Sequence, residues 1–439
     1  MAPSSEAAVH AITTPPTQRL PLLSFGSLLL QLLLVLMVIQ QFNVESKTFF
    51  HVALLTVIGF TVHAFLPQRV RLHFFVLLSL AGIGVAFGPR DALWLIAVGV
   101  GLIGVCHLPI SVAWRVVILL AVGATLATSR AGILPAPWSR AVWPILASMF
   151  MFRVAIYIYA MQHEKVPASP MRTLAYFFML PNVCFPLFPV VDYASFRRTY
   201  YDRAELEIYT RGVQWIVRGL LHLLLYRFVY LNLTIEPAEL VNLGGVVRFV
   251  VATFLLYLRV SGQFHLIVGI LHLFGFRLPE THRLYYLASG FTDFWRRINI
   301  YWKDFLLALV YYPIFLRLRR AAGERGALVV ATIVVFLSTW LLHSYQWFWL
   351  RGGFPVIAQD GVFWGLLGVF VVASSLREIR HGRVRAIGKA QRWNSRRAMR
   401  TVLMFWAMAV LWSLWSSESL GEWFAMWLAA TRVDSLGVL

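Results

Sequence analysis

Apolar runs of about 20 residues recur along nearly the whole chain, each the length an α-helix needs to cross a hydrocarbon core about 30 Å thick. Backbone donors and acceptors in lipid must be satisfied within the spanning element, which makes such runs helices. That excludes an ordinary soluble enzyme, and the composition agrees. Of 439 residues, 59% are hydrophobic and 13% charged, against about 25% charged in a soluble domain. The spans expected are 20–42, 49–66, 70–88, 91–108, 112–128, 139–162, 211–232, 244–275 as one broken or two short helices, 326–349, 356–375 and 401–417. The fold class is therefore an all-α polytopic integral membrane protein with about 11 transmembrane helices.

The chain carries 39 Lys+Arg against 19 Asp+Glu, a formal charge of +20. In a soluble protein that excess would suggest nucleic acid. Here the basic residues concentrate between the apolar runs, as the insertion bias of membrane proteins requires, so the expected partner is the lipid bilayer and no nucleic acid. Residues 1–19 read as a polar, disordered tail without a cleavable signal, followed by N-terminal transmembrane helices over 20–138, a core over 139–375, a basic loop over 376–400, and a C-terminal transmembrane helix and tail over 401–439. Residues 376–400 hold nine Arg and Lys against the single acid Glu378, which places that loop in the cytoplasm. Counting back, 351–361 lies outside, while 317–325 and 277–303 lie inside. Arginine makes up 35 of the 39 basic residues, which suggests a GC-rich coding sequence and a bacterial cytoplasmic (inner) membrane.

Two apolar stretches do not read as clean spans. Tyr176 to Pro189 contains Pro181, Pro186 and Pro189, which remove backbone donors and turn the preceding residues from helix. Phe305 to Leu318 is too short to cross and has basic residues at both ends. Both are expected to be re-entrant or interfacial. Gly99-Val-Gly101-Leu-Ile-Gly104 matches a dinucleotide-binding pattern but follows no strand, and is expected to be a small-residue helix-packing face. His265 and His272 share a helix face without a third ligand and read as packing or hydrogen-bonding residues. Cys106 and Cys184 make neither a disulfide framework nor a zinc site, and no metal is expected.

The most unusual local sequence runs from Phe291 to Phe305, where aromatic and charged residues alternate. Trp295, Asn299 and Trp302 are spaced by four and three, so one helix would put them on one face. On that reading Asn299 projects its amide into a cavity, and Arg296, Arg297 and Lys303 form a phosphate-attracting rim; the alternative is an aromatic belt with snorkelling cations. A second stretch puts Trp340, His343 and Trp347 on one stripe of an otherwise apolar span. An ionisable residue inside a span is costly to keep, and a neutral imidazole among aromatic rings suits a general base.

These blocks resemble the membrane-bound O-acyltransferase (MBOAT) family, whose members transfer an acyl group from a thioester to a hydroxyl, or sometimes an amine. The proline-bearing segment ending in Asp192-Tyr193 is similar to the family's own, and Asp293-Phe-Trp-Arg-Arg-Ile-Asn299 with Trp302-Lys-Asp-Phe305 resembles its Phe-Trp-Arg-Arg block. His343, about forty residues later, stands where the family has its catalytic histidine. The likeness covers about 140–375, which makes 139–375 an MBOAT-like catalytic core. It implies an O-acyltransferase with His343 and Asn299 as catalytic residues and Trp295, Arg296, Arg297, Trp302, Lys303, Trp340 and Trp347 as substrate-binding residues. The bacterial polysaccharide-acetylating branch commonly has His where this chain has Asn299, which leaves the acceptor open.

No cofactor is implied beyond the co-substrate, acyl-CoA or an acyl carrier protein thioester. The remaining partners are a hydroxyl-bearing acceptor (glycan, lipid or another small molecule) and, as an open option, an extracytoplasmic partner protein. The rival from another class is a transporter or flippase of a lipid-linked or anionic substrate, built on the same broken segments and basic rims.

Overall fold

The computed structural model describes residues 21–163, 169–180, 188–240, 242–354, 356–381 and 393–431. Residues 1–19, Pro181, Cys184, Pro186 and residues 382–392 of the 376–400 loop, all parts of the sequence reading above, lie outside them. The described residues are helical throughout, without a strand, and their one isolated bridge joins Tyr200 to Phe276. The protein is an all-α polytopic membrane protein: among the described residues nine helical segments are long and apolar enough to cross a bilayer.

The first half comprises α1 (Leu22–Gln41), α2 (Lys47–Phe65), α3 (Gln68–Cys106), α4 (Val112–Arg130), α5 (Val142–Ser148), α6 (Val154–His163), α7 (Pro170–Phe177), α8 (Tyr193–Arg198) and α9 (Glu205–Asn232). The second comprises α10 (Leu243–Leu255), α11 (Leu258–Leu273), α12 (Phe291–Arg297), α13 (Ile300–Leu306), α14 (Tyr312–Arg351), α15 (Ala358–Arg380), α16 (Ser395–Ser416) and α17 (Leu420–Thr431). The expected eleven spans and the nine differ in two places. Runs 70–88 and 91–108 are one element, α3, interrupted at Gly88 (φ 77°, ψ 166°) just before Pro89. The expected span at 211–232 forms within α9, but its Arg211, Arg218 and Arg227 interrupt the apolar run and keep it out of the nine.

The close-packing glycines are elsewhere than the sequence led one to expect. Gly99 is buried in α3, but Gly101 and Gly104 face open space, so that motif is not a packing face. The close approach is between α9 and α11, which run antiparallel. A methyl group on Gly212 would lie 2.9 Å from the Gly269 carbonyl oxygen, and one on Gly219 would lie 2.7 Å from that of Gly262. Two pairs of glycines seven residues apart thus let the backbones touch, the small-residue packing that membrane helices favour. Every residue of α11 from Ser261 to Leu273 is buried, which makes it the central post of the fold.

Around this post the apolar side chains form two clusters. One gathers α1–α3, α5–α9, α11 and α13; the other gathers α10, α12 and α15–α17; α14 contributes to both. α4 has no buried residue and presents Trp114, Val117 and Leu120 outward, as a lipid-facing helix does. It is fixed at its end by Arg130, whose Nε and Nη2 donate to the Trp349 and Leu350 carbonyls, both at 2.9 Å.

Of the two stretches expected to be re-entrant or interfacial, the first includes Phe178 to Leu180, which is non-helical and buried, with the Leu180 amide donating to Ser79 Oγ at 3.1 Å. Such backbone at membrane depth is tolerated when protein surrounds it. Residues 305–318, the second, are helical. α13 passes through a π turn, Leu307–Tyr311, into α14, which is interrupted at Gly323 (φ 69°, ψ 168°). A second π turn, Met149–Arg153, joins α5 to α6. Insertions of this type occur frequently at functional sites.

Candidate active site

A cavity of ≈ 350 Å³ opens at the seam between the two clusters, walled by Phe152, Phe188, Trp302 and Trp347 on one side and by Trp412 and Trp415 on the other. Its polar groups include Asn299, His343, Tyr257 and Gln346. The helices place each of them for a physical reason.

His343 lies in α14, nine residues before the helix ends at Gly352, which adopts the left-handed conformation (φ 88°, ψ −3°) typical of helix termini. Its Nδ1 lies 2.8 Å from the carbonyl oxygen of Thr339, one turn earlier. A carbonyl can only accept, so Nδ1 carries the proton and Nε2 of the neutral ring keeps its lone pair. Three indoles cage the ring: Trp364 at 4.9 Å, Trp302 at 5.5 Å and Trp415 at 6.0 Å between centroids.

Asn299 does not share a helix with Trp295. α12 ends at Arg297, and Asn299 takes the left-handed conformation (φ 37°, ψ 62°) that asparagine tolerates better than most residues. From there it caps α13, its Oδ1 accepting from the Trp302 amide at 3.3 Å. The cap occupies the acceptor end of the amide and leaves the Nδ2 donors for the cavity. Trp302, on the first turn of α13, packs edge-on against Phe152, and its Nε1 is buried without a partner.

The structure thus brings four of the nine expected site residues to one cavity: Asn299, Trp302, His343 and Trp347. The other five lie elsewhere. Trp295 packs on Phe336 at 4.7 Å, because the break at Asn299 turns α12 away from the cavity. Trp340 lies against Gly361 of α15, one turn beyond the lining. The expected phosphate-attracting rim does not line the cavity, since each cation is engaged by an acid. Arg296 pairs with Glu378 at 2.9 Å, Arg297 with Asp293 at 2.7 Å, and Lys303 with its neighbour Asp304 at 2.5 Å.

Sequence reasoning missed Gln346, Tyr257, Trp364, Trp412, Trp415 and Ser416. Gln346 had a signal, its spacing of three from His343; the three-residue spacing of Trp412 and Trp415 on the last span was another. Tyr257 had none. Its hydroxyl shares a hydrogen bond with His282 Nε2 at 3.0 Å, at one end of a buried polar chain through Thr281 to His265. His265 stacks on Trp215 and His272 bonds to the Val268 carbonyl, so both histidines are packing and hydrogen-bonding residues. Among the described residues no group of three His, Cys, Asp or Glu is placed to hold a metal ion.

A second cavity of ≈ 210 Å³ lies on the other side of α13, lined by Asp192, Ser195, Tyr301, Asp304 and Phe305 among others. Val190 lines both cavities, and the rings of Phe152, Trp302 and Phe305 meet one another, edge-on or tilted. Compared with known protein families and with curated proteins, the chain matches none.

Proposed function

We propose that the protein is a membrane-embedded acyltransferase of the MBOAT kind, moving an acyl group from a thioester to a hydroxyl. The observation that carries this reading is the pair of polar groups left free in one apolar cavity: the His343 Nε2 lone pair and the Asn299 Nδ2 donors. The acceptor O–H gives its proton to His343 Nε2 as its oxygen attacks the thioester carbon. The Asn299 amide donates to the oxyanion of the tetrahedral intermediate. When the C–S bond breaks, the thiolate leaves and takes the proton from the imidazolium, so the products are an ester and a free thiol. Ser344 takes no part as a nucleophile, being buried on a different face of α14 from His343.

The two cavities separated by α13 fit a donor and an acceptor arriving from opposite sides. On the loop-charge assignment the donor is cytoplasmic and the acceptor extracytoplasmic, in a bacterial inner membrane. Arg130 ties the end of α4 to the end of α14, and both ends fall on the outer side of that assignment.

The test is a mass-spectrometric comparison of surface glycans and extractable lipids from cells carrying the wild type, a deletion, or His343→Ala at matched expression. Loss of the same acyl-sized mass increment in the deletion and in His343→Ala supports transfer. If His343→Ala behaves as wild type while the deletion shifts abundance or location without changing mass, the protein is a transporter.

A further inference from the structure

Arg153, the last residue of the first π turn, is among the most deeply buried large side chains of the chain, with 1% of its surface exposed. Its Nη1 donates to the Phe177 carbonyl, while Nε and Nη2 have no partner. These two N–H groups point the same way and form the side-on fork of a guanidinium, the geometry that receives both oxygens of a carboxylate. The chain fills this fork elsewhere. Arg277 puts Nε and Nη2 on the two carboxylate oxygens of Asp202, Arg259 puts them on those of Glu45, and Arg130 puts them on two carbonyls. Arg71, also buried, has all three nitrogens engaged, by the Leu66 and Ala64 carbonyls and by Glu205.

Arg153 alone of these five is left with an open fork. Its remaining neighbours are aromatic faces, with Phe188 at 5.1 Å and Tyr176 at 5.8 Å from the guanidinium carbon. A π face attracts the charge but accepts no in-plane hydrogen bond, and a buried charge without a counter-ion is strongly disfavoured. Among the described residues no acid pairs with Arg153, and a carboxylate carried by a ligand would supply the missing counter-ion. Phe188 lines the ≈ 350 Å³ cavity, as does Phe152, the residue before Arg153. Phe188 thus meets the guanidinium on one hand and the cavity on the other.

We infer that Arg153 is an anion subsite of this cavity, receiving the carboxylate of an amphipathic ligand whose apolar part lies among Phe152, Phe188 and Trp302. A carboxylate fits because it is planar and presents two oxygens to two parallel donors. The inference holds for whatever occupies the cavity and does not rest on acyl transfer. Its test measures binding without turnover.

The experiment uses the full-length protein in lipid nanodiscs, with decanoate, methyl decanoate and decyl phosphate as probes and melting temperature and binding isotherms as readouts. Decanoate is expected to raise the melting temperature of the wild type and the methyl ester is not. Arg153→Met should abolish the decanoate shift without lowering the ligand-free melting temperature, because it removes an unpaired charge and keeps most of the aliphatic volume. Arg153→Lys should bind decanoate at least tenfold more weakly, since an ammonium cannot form the fork. Phe188→Ala should bind it more tightly, and Arg259→Met as the wild type does. An equal shift with the methyl ester, or wild-type decanoate affinity in either Arg153 variant, overturns the subsite. Decyl phosphate binding as tightly as decanoate overturns the carboxylate assignment. A ligand-free Arg153→Met that melts far below the wild type makes Arg153 a structural donor to Phe177 and overturns the proposal too.

Discussion

The α9–α11 wall and the α6–α13–α14 wall enclose opposite parts of the same core and are built by opposite devices. In the first, Gly212, Gly219, Gly262 and Gly269 bring two backbones into contact and fill the space between them. In the second, two π turns and an asparagine in the left-handed conformation interrupt the helices, and both cavities lie beside the interruptions. At the glycine contacts the close-packed helices are held rigid, while the interruptions of α6, α13 and α14 open the space where Asn299 and His343 meet. Substitutions should accordingly separate by wall, altering chemistry on one side and stability on the other.

The strongest test of that division is His343→Ala. It should lower thioester-dependent transfer by about 10²–10⁴-fold, the usual cost of losing a general base, with the melting temperature nearly unchanged. Asn299→Asp should follow with a loss of about 10²–10³-fold, the effect of removing one oxyanion donor. This variant keeps an oxygen to cap α13, so a large fall in melting temperature would assign Asn299 to the fold instead of the chemistry.

On the zipped wall, Gly219→Ala places a methyl 2.7 Å from the Gly262 carbonyl oxygen and 2.8 Å from the Leu266 amide. It should cost about 1–3 kcal/mol of stability, read from thermal unfolding, and leave the activity of the folded fraction intact. A matching loss of specific activity would erase the contrast between the walls. The smallest effect is expected at Arg296→Gln, which breaks a partly exposed pair with Glu378 worth about 0–1 kcal/mol. Thioester affinity, measured by displacement, should not change; weaker binding would restore the cationic rim expected from the sequence.

The sequence-to-structure comparison separates along similar lines. Hydropathy alone locates the spans, since length and apolarity are local properties. His343 and Trp347 reach the cavity as helical spacing predicts, because α14 is regular there. Trp295 does not, because the four-and-three spacing assumes a helix that Asn299 interrupts. The fates of the cations were legible in part. Asp293 lies four residues before Arg297 and Asp304 adjoins Lys303, both visible in the sequence. Glu378, 82 residues beyond Arg296, becomes its partner only through tertiary packing of α12 on α15. The open fork of Arg153 was illegible for the same reason, since which donors go unpaired depends on the whole surrounding shell.

The packing of α12 on α15 also bears on the order of synthesis. Chains emerge N-terminus first, and spans are recognised by hydropathy as they emerge. Thr292 meets Ser375 and Arg296 meets Glu378, while His343 is caged by Trp364 of α15 and Trp415 of α16. A nascent chain that has completed α14 therefore already holds both polar groups of the site but lacks the two indoles and the acid that complete their surroundings. The site is finished by helices that leave the ribosome after α14, so a chain truncated before α15 is a membrane protein with an unfinished cavity.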